Sequence, residues 1–298
     1  MHFDPKCPLL VKPDFGGSVY QDITPQGAGW KLLNFNARRL DEKANWKGKT
    51  ADHELLVVIL SGNIVLESSR GNWEVKNGRK SVFSGFPYAV YLPRNTFFNL
   101  TSTSGVADVA CGHCETDQDH PAQFITPEDV EEMGVEIRGG DNATRQINRI
   151  MPPGSDCHRL ICVEVYTPSG NWSSFPPHKH DERKVSKDGK LLEACLEETY
   201  FYKFDKPQGF GIQRVYTDDR SLDEVAVVQT DDTMLVKKGY HPFVAGHGYN
   251  AYYLNFLVGS DQALNATDDP DHKWIYGTWT GKDPRVPMLK TRGRTCPA

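Results

Sequence analysis

Short apolar segments recur along the whole chain, separated by polar stretches that contain Gly, Pro, Asn and Asp. They are rich in Val, Ile, Tyr and Phe, residues that favour β-strands, and include ELLVVILSGNIVLES, YAVYLP, RLICVEVYTP, ETYFYKF, EVAVVQ and NAYYLNFLVG. Many short strands at close spacing are typical of a sandwich or a barrel. The pattern therefore predicts an all-β protein with few short helices.

One segment near the middle of the chain departs from this pattern. TPEDVEEMGVEIRGG begins with Thr126, which is placed to cap a helix, and continues with acidic residues in the first turn. This helix would lie where two similar halves of the chain meet. We therefore expect two barrels, one over residues 1–140 and one over residues 141–298. Both ends of the chain, including the C-terminal segment 288–298, are expected to be extended arms.

Length and charge limit the classes of partner. The chain has 298 residues, enough for two ordinary domains, and 34 basic against 39 acidic residues give a formal net charge of −5. Like charges form no block, so we expect neither a nucleic-acid nor a membrane partner, and a small molecule is the expected ligand. No apolar run suits a signal peptide or a membrane span, which predicts a cytoplasmic protein.

The cysteines suggest one functional hypothesis that we rank last. The chain has seven cysteines, an odd and scattered set that predicts reduced thiols. Cys111 and Cys114 belong to CGHC, the tetrapeptide of thiol oxidoreductases. That activity needs the first thiol at a helix N-terminus, where the helix dipole lowers its pKa. Here the tetrapeptide follows the strand-like VADVA and precedes a segment with a proline, which disfavours a helix.

The strongest chemical signal is SSFPPHKHDE, in which one residue separates His178 from His180. Alternate residues of a strand project from the same face, so both imidazoles would point to one site while Lys179 points away. Imidazole is among the commonest metal ligands in proteins. The spacing therefore indicates a metal site.

These residues resemble the motifs of the cupin superfamily, which are His-x-His followed by Glu and Gly, and then Pro-x-Gly-x-x-His. In the second half of the chain the resemblance implies four ligands for one divalent metal ion, namely His178, His180, Glu198 and His241. Gly239 would mark the turn of the second motif. His247, a few residues further along, is the rival of His241 for the fourth position.

The chain departs from the cupin motifs in three places. Seventeen residues separate His180 from Glu198, and a hairpin tip can absorb such an insertion because a longer loop costs only ~0.6 kcal/mol per doubling. Lys237 stands at the proline position of the second motif. In the first half PRNTFF places Phe98 at the histidine position, and only His53 is left of the histidine pair, so we expect no metal there.

Longer strings narrow the resemblance to one family. YTPSGNWSSFPPHKHD, LEETYFYKF, GFGIQRVYT, GYHPFVAGHGYNAYYLN and DPDHKWIYGTW resemble the 5-deoxy-glucuronate isomerase family of myo-inositol catabolism. A relative of that family is the pectin-pathway isomerase of 4-deoxy-5-hexosulose uronates. The resemblance implies a bicupin that converts 5-deoxy-D-glucuronate to 5-dehydro-2-deoxy-D-gluconate, an aldose to a ketose. A cupin that binds a sugar without catalysis is the alternative.

The chemistry of such an isomerase sets further requirements. A proton moves between neighbouring carbons through an enediolate, so the site must stabilise an oxyanion and supply an acid or base. A divalent metal can polarise the carbonyl; the ligand types favour zinc, and Mn, Fe, Co or Ni would accept the same set. No catalytic acid or base is assigned, because solvent activated by the metal, a tyrosine and a second carboxylate such as Glu193 all stay open.

Strand alternation also suggests residues that bind the substrate. On ETYFYKF the period of two places Glu198 and Tyr200 on one face. Arg214 and Tyr216 share a face of QRVYT, and we predict that Arg214 pairs with the substrate carboxylate. Tyr200 is expected to contact the substrate from the barrel interior, which it shares with Glu198, and Tyr253 to contact it from the mouth. The expected partner is a small sugar acid. Apolar sheet faces are compatible with a homo-oligomer.

Overall fold

The protein is described over residues 1–289 by a computed structural model, and it consists mainly of strands. Those of the first half are β1 (His2–Asp4), β2 (Cys7–Lys12), β3 (Val19–Ile23), β4 (Asn34–Leu40), β5 (Asn45–Lys49), β6 (His53–Ser68), β7 (Gly71–Val75), β8 (Ala89–Leu92), β9 (Phe97–Glu115), β10 (Gln123–Ile125) and β11 (Glu136–Arg138). The predicted all-β class is confirmed. Most of the predicted C-terminal arm lies outside the described residues.

The second half continues in the same way. Its strands are β12 (Arg145–Met151), β13 (Ile161–Thr167), β14 (Trp172–Ser173), β15 (His178–Lys179), β16 (Lys184–Val185), β17 (Leu191–Glu193), β18 (Leu196–Phe204), β19 (Phe210–Tyr216), β20 (Asp223–Gln229), β21 (Thr233–Val236), β22 (Phe243–Ala245), β23 (Ala251–Gly259) and β24 (Thr267–Asp268). The helical segments are α1 (Pro25–Ala28), α2 (Pro127–Glu132) and the 3₁₀ turns Val82–Ser84 and Lys273–Thr278.

The predicted central helix forms, but it is short. The Thr126 hydroxyl accepts a hydrogen bond from the Asp129 N–H at 3.2 Å, and the Asp129 carboxylate accepts one from the Thr126 N–H at 2.8 Å. This reciprocal cap fixes the first turn. The helix ends at Glu132 because Gly134 adopts φ 82, and the chain then continues as β11. In the described part of the chain no helix is long and apolar enough to cross a bilayer.

In the first half, one eight-stranded sheet surrounds an apolar core. Its main path has the order β10-β8-β6-β9-β4-β3, while β5 pairs with β9 and β7 pairs with β6. The long strands β6 and β9 are antiparallel partners along most of their length. The core between them and their neighbours contains Val57, Ile59, Val90, Leu100 and Val109.

The second half has two main sheets that enclose its own core. The larger has the order β1-β2-β21-β18-β23-β13-β12-β11, and the smaller has the order β14-β22-β19-β20. The start of the chain thus joins the larger sheet of the second half, where Leu10 of β2 pairs with Met234 of β21. The division of the chain near residue 140 stays a prediction.

The two halves share an apolar interface. Alternation along β18 places Tyr200 and Tyr202 in the core of the second half, whereas Phe201 between them packs in the interface. Phe256 of β23 also lies there and packs onto Gly112 of β9, where an added Cβ would lie 2.3 Å from the ring. Burial on both faces explains why β23 is apolar at nearly every position.

Candidate metal centre and pocket

His178 and His180 are presented by the short strand β15 and the residue after it. β15 pairs with β24, which sets His178 opposite Asp268. Lys179 points away from the site, and its ammonium group binds the Asp218 carboxylate. His178 lines a large pocket, and His180 is buried at the same pocket. The alternation inferred from the sequence is therefore present.

The long segment between His180 and Glu198 folds into a hairpin of β16 and β17, with Gly189 at φ 84 in its turn. Glu193 anchors this hairpin, because its buried carboxylate accepts hydrogen bonds from the Asp181 N–H at 3.0 Å and from three further groups. The insertion therefore leaves Glu198 free to face the histidines from β18. Since Glu193 is fully bonded and lies outside the pocket wall, it is poorly placed to act as a base.

A tight turn presents His241. Gly239 adopts φ 88, and a Cβ on it would lie 2.4 Å from the carbonyl oxygen of Tyr216. The Gly239 N–H donates to the Asp181 carboxylate at 2.8 Å, and its carbonyl accepts a hydrogen bond from His241 Nδ1 at 2.9 Å. The residue that directly follows His180 therefore holds the turn that orients His241.

Donor atoms of His180, Glu198 and His241 meet in the interior, all within 4.8 Å of one another. His180 Nε2 lies 3.0 Å and His241 Nε2 lies 3.5 Å from Glu198 Oε2. The other nitrogen of each ring faces a carbonyl oxygen, that of Leu196 at 3.3 Å and that of Gly239 at 2.9 Å. A carbonyl only accepts, so Nδ1 of each ring carries a proton, and Nε2 of each ring faces the Glu198 carboxylate.

This arrangement of lone pairs suits a cation. The buried His241 Nε2 has no hydrogen-bond partner, and burial lowers the pKa of this ring to about 3, so it is neutral. Burial raises the pKa of Glu198. Burial alone would lower the pKa of His180, but the hydrogen bond with Glu198 outweighs burial, so the pKa of His180 is raised. Either a proton or a metal ion must therefore lie between these two groups. Two imidazoles and a carboxylate are a common donor set for divalent transition metals.

The two other histidines considered as ligands occupy different positions. The His178 ring lies 4.8 Å from the His241 ring and 6.4 Å from the His180 ring, centroid to centroid, but it is not part of the compact donor group. Burial holds the pKa of His178 well below its usual value, so this ring is also neutral. His247 is exposed on a turn and does not line the pocket. The geometry favours His241 over His247.

A pocket of about 380 Å³ opens onto the donor group, and the structure places Tyr200 and Tyr253 in its wall. Their hydroxyls bond to those of Ser174 at 2.9 Å and Ser173 at 2.5 Å, respectively. The Tyr200 ring lies 5.7 Å from the His241 ring and 4.7 Å from the Tyr253 ring. Burial raises the pKa of both phenols, so both are neutral hydrogen-bond donors.

Arg214 is not brought to this pocket. On β19 the buried face consists of Gly211, Gln213 and Val215, and Arg214 lies on the opposite face. Its guanidinium forms two hydrogen bonds of 2.7 Å with the Asp223 carboxylate of β20. Because this group is already paired outside the pocket, the predicted contact with a substrate carboxylate has no support from the geometry.

The pocket contains a different arginine, which sequence reasoning missed. Arg145 lines the pocket from β12 and is 4% exposed. Ile147 and Arg149 line the pocket from the same strand face. The available signal was the alternation in RQINR, which puts two basic residues on one face of a strand that is otherwise buried.

The structure gives no support to the thiol oxidoreductase hypothesis. CGHC lies within β9, where Cys111 packs in the core of the first half and Cys114 packs in the interface between the halves. Burial raises the pKa of Cys111 to about 12 and also raises that of Cys114. The glycine between them, Gly112, gives room to Phe256. The tetrapeptide therefore serves packing.

We expect iodoacetamide at about pH 8 to modify Cys195 much faster than Cys111 and Cys114 in the native protein, because only thiolates react and buried thiols stay protonated. Cys195 is the exposed cysteine among the described residues. Mass spectrometry of peptides after timed labelling measures the rate at each position. Modification of Cys111 or Cys114 as fast as that of Cys195 would restore the oxidoreductase hypothesis.

Replacing Gly239 by alanine should lower metal affinity roughly 10–100-fold, because it disturbs the hydrogen bond that orients a ligand. Strain at the positive φ should also lower the free energy of unfolding by roughly 1–3 kcal/mol. Gly248→Ala is the matched control: Gly248 has φ 93, but a Cβ there meets no atom within 4 Å. It should reduce stability and leave metal affinity unchanged. Equal metal affinity in both variants would contradict the positioning role of Gly239.

In the first half, other residues stand at the positions that correspond to the proposed metal ligands. Phe98 is 6% exposed and packs edge-on against Trp46, with ring centroids 4.9 Å apart. His53 contacts the Asp52 carboxylate at 2.9 Å at the start of β6. Among residues 1–289, the group of His180, Glu198 and His241 is the one set of three donors close enough to hold an ion.

The fold and the site together define a protein of cupin-type fold with a candidate metal centre in its second half. More narrowly, the chain belongs to the KduI/IolB family, whose sequence model matches residues 9–275. The expected family is thereby confirmed.

Relatives with assigned names agree with this family. The chain is 39% identical over 264 residues to the 5-deoxy-glucuronate isomerase of Geobacillus thermodenitrificans, covering 88% of this chain and 93% of that protein. It is 35% identical over 274 residues to the 5-deoxy-glucuronate isomerase of Bacillus subtilis, covering 90% of this chain and 98% of that protein.

Two solved structures resemble this chain to different degrees. The crystal structure of an IolB-like protein from Salmonella typhimurium has a TM-score of 0.84 and 35% identity, covering 90% of this chain and 98% of that one. Oxalate decarboxylase of Bacillus subtilis has a TM-score of 0.58 at 10% identity, covering 90% of this chain and 81% of that one. The second likeness shows the fold alone.

Proposed function

We propose that this protein is a metal-dependent aldose–ketose isomerase that converts 5-deoxy-D-glucuronate to 5-dehydro-2-deoxy-D-gluconate in myo-inositol catabolism. The observation that carries the proposal is the group of His180, Glu198 and His241 beside a pocket, in a chain whose relatives are named 5-deoxy-glucuronate isomerase. A pocket of about 380 Å³ has the size of a small-molecule site and suits one sugar acid.

The residues present fit one divalent metal ion. The proposed ligands are His178, His180, Glu198 and His241. The fit rests on the buried Nε2 lone pair of His241, which has no other partner, and on the neutral state of this ring. Zinc is the metal that we favour for these donors, and Mn, Fe, Co and Ni accept the same set. When bound, such an ion polarises the substrate carbonyl and stabilises negative charge on its oxygen.

The protein's own groups would hold the sugar and manage its proton. Isomerisation moves a proton from C2 to C1 of the aldose, and a positioned donor lowers the barrier. Tyr200 and Tyr253 carry neutral hydroxyls in the pocket wall, oriented by Ser174 and Ser173. A phenol with a raised pKa stays neutral, which suits the role of hydrogen-bond donor rather than that of base. The base is left unassigned.

Aromatic side chains at the mouth would limit access of water to the reacting sugar. Tyr276 and Trp279 line the pocket, with ring centroids 5.1 Å apart. Asp141 holds the segment that follows them by accepting hydrogen bonds from the N–H groups of Thr280 at 3.1 Å and Gly281 at 3.2 Å. Exclusion of water strengthens every electrostatic interaction inside such a site.

Incubation of the purified protein with 5-deoxy-D-glucuronate, followed by proton NMR, tests the proposal. We expect conversion to 5-dehydro-2-deoxy-D-gluconate, loss of conversion after treatment with a chelator, and recovery when a divalent ion is added back. Binding of the sugar acid without any product would favour a non-catalytic sugar-binding cupin. Full turnover by protein freed of metal would contradict metal dependence.

A further inference from the structure

Arg145 is a buried cation without a counter-ion among residues 1–289. Its Nη1 atom is buried and has no hydrogen-bond partner. Burial lowers the pKa of its guanidinium, and the charged side chain that adds to this effect is Arg138, a second cation. Arg138 of β11 pairs directly across the sheet with Arg145 of β12. The charged side chain across the sheet therefore adds positive charge and does not neutralise Arg145.

The carboxylates of the pocket wall are already engaged with other side chains. The contacts are Arg138 with Glu136 at 2.5 Å, Arg149 with Glu136 at 2.8 Å, His180 with Glu198 at 3.0 Å and Tyr276 with Asp268 at 3.2 Å. Each carboxylate in the pocket wall thus has a partner other than Arg145.

An unpaired buried charge costs stability, so a protein keeps one only where something compensates it. A guanidinium presents a planar fork of donors that matches a carboxylate in a bidentate contact. Strained or uncompensated groups of this kind cluster where a ligand completes the interaction. The missing partner of Arg145 is therefore an anion that enters the pocket.

Arg145, Tyr200 and Tyr253 line the same pocket as His180 and Glu198. The Tyr253 ring lies 4.7 Å from the Tyr200 ring, and the Tyr200 ring lies 5.7 Å from the His241 ring. The open-chain form of 5-deoxy-D-glucuronate carries its carboxylate and its aldehyde carbonyl at opposite ends of the carbon chain. One molecule could place the first at Arg145 and the second at the donor group.

We propose that Arg145 binds the substrate carboxylate and makes the site selective for sugar acids over neutral sugars. This proposal rests on the proposed function for the reaction at the other end of the pocket. Arg145 takes the role that strand alternation had suggested for Arg214. It specifies which end of the sugar faces the metal centre.

Turnover gives the first test. In Arg145→Gln, kcat/KM for 5-deoxy-D-glucuronate should fall about 10²–10³-fold, the loss expected when one partner of a buried charge pair is removed. For 5-deoxy-D-glucose, which has a hydroxymethyl group in place of the carboxylate, kcat/KM should be low in the wild type and nearly unchanged in the variant. An equal loss on both sugars would overturn the selective role.

Equilibrium binding to metal-stripped protein gives a second test without turnover. By calorimetry, the wild type should bind D-gluconate in preference to D-glucitol, and Arg145→Gln should lose this preference. The melting temperature of the ligand-free variant should also rise by a few degrees, because an uncompensated charge is removed. An arginine with a purely structural role would give a fall.

Matched variants complete the design. Arg70→Gln removes an exposed arginine that pairs with Asp119 in the first half, and it should keep the preference for D-gluconate. Arg145→Lys keeps the charge without the fork and should keep part of the preference, which covers a failure of the glutamine variant to fold. Equal binding of both probes by the wild type, or an undiminished preference in Arg145→Gln, would overturn the proposal. An inactive wild type that still prefers D-gluconate would count against the proposed isomerase alone.

Discussion

Replacing His241 by alanine is expected to abolish stoichiometric metal binding and to lower kcat/KM by about 10³-fold or more, since the metal supplies several kcal/mol of charge stabilisation in the transition state. The His241 ring is fully buried, and its Nε2 lone pair has no hydrogen-bond partner among the described residues. The proposed ion would be its partner. The turn that Asp181 holds through the Gly239 N–H orients this ring toward Glu198. Plasma mass spectrometry for metal content and NMR for turnover measure both losses.

His247→Ala is the control for this prediction. His247 is exposed on a turn six residues further along, so the variant should retain metal and activity. Circular dichroism should show that both variants keep their strand content. If His247→Ala loses the metal and His241→Ala keeps it, the assignment of ligands is wrong.

The second large effect concerns stability. We expect Glu164→Ala to lower the free energy of unfolding by about 3–5 kcal/mol, because it leaves Arg79 buried and without its counter-ion. Arg79 Nη1 lies 2.9 Å from Glu164 Oε2, with 2% and 0% of the side chains exposed. The same carboxylate accepts hydrogen bonds from Asn148 at 2.9 Å and Tyr166 at 3.1 Å. This pair joins the two halves of the chain, and denaturation in urea measures its loss.

Two further variants separate charge from packing. Asp119→Ala breaks the exposed pair with Arg70 and should cost less than about 1 kcal/mol. The double variant Arg79→Met with Glu164→Leu removes both charges and should recover much of the stability lost in Glu164→Ala. If Glu164→Ala lowers the free energy of unfolding as little as Asp119→Ala does, Arg79 finds another partner.

Local alternation was enough to predict which residues share a strand face. It placed His178 and His180 toward one site, and it placed Glu198 with Tyr200 on the inner face of β18. Both inferences depend only on the two-residue period of a strand. The same period groups Arg214 with its neighbours, but it does not say which face of β19 is the inner one. Only the packing of the smaller sheet against the larger one decides that.

The features that were missed depend on contacts between distant segments. Arg145 differs from a surface arginine only because β11, β12 and the tyrosines of other strands surround it. Arg79 finds Glu164 across the interface, and Leu10 joins the sheet of the second half through Met234. None of these pairings has a local pattern in the sequence. The helix that begins after Thr126 does have a local sequence pattern, its N-terminal cap, and the start of the helix was predicted for that reason.

Titration of the metal-stripped protein with a divalent ion tests the central claim most directly, with turnover of 5-deoxy-D-glucuronate measured by NMR at each step. A single centre formed by His178, His180, Glu198 and His241 predicts that activity rises in proportion to bound metal and reaches its maximum at one ion per chain. Full activity in the stripped protein, or maximal activity only when more than one ion is bound per chain, would contradict it.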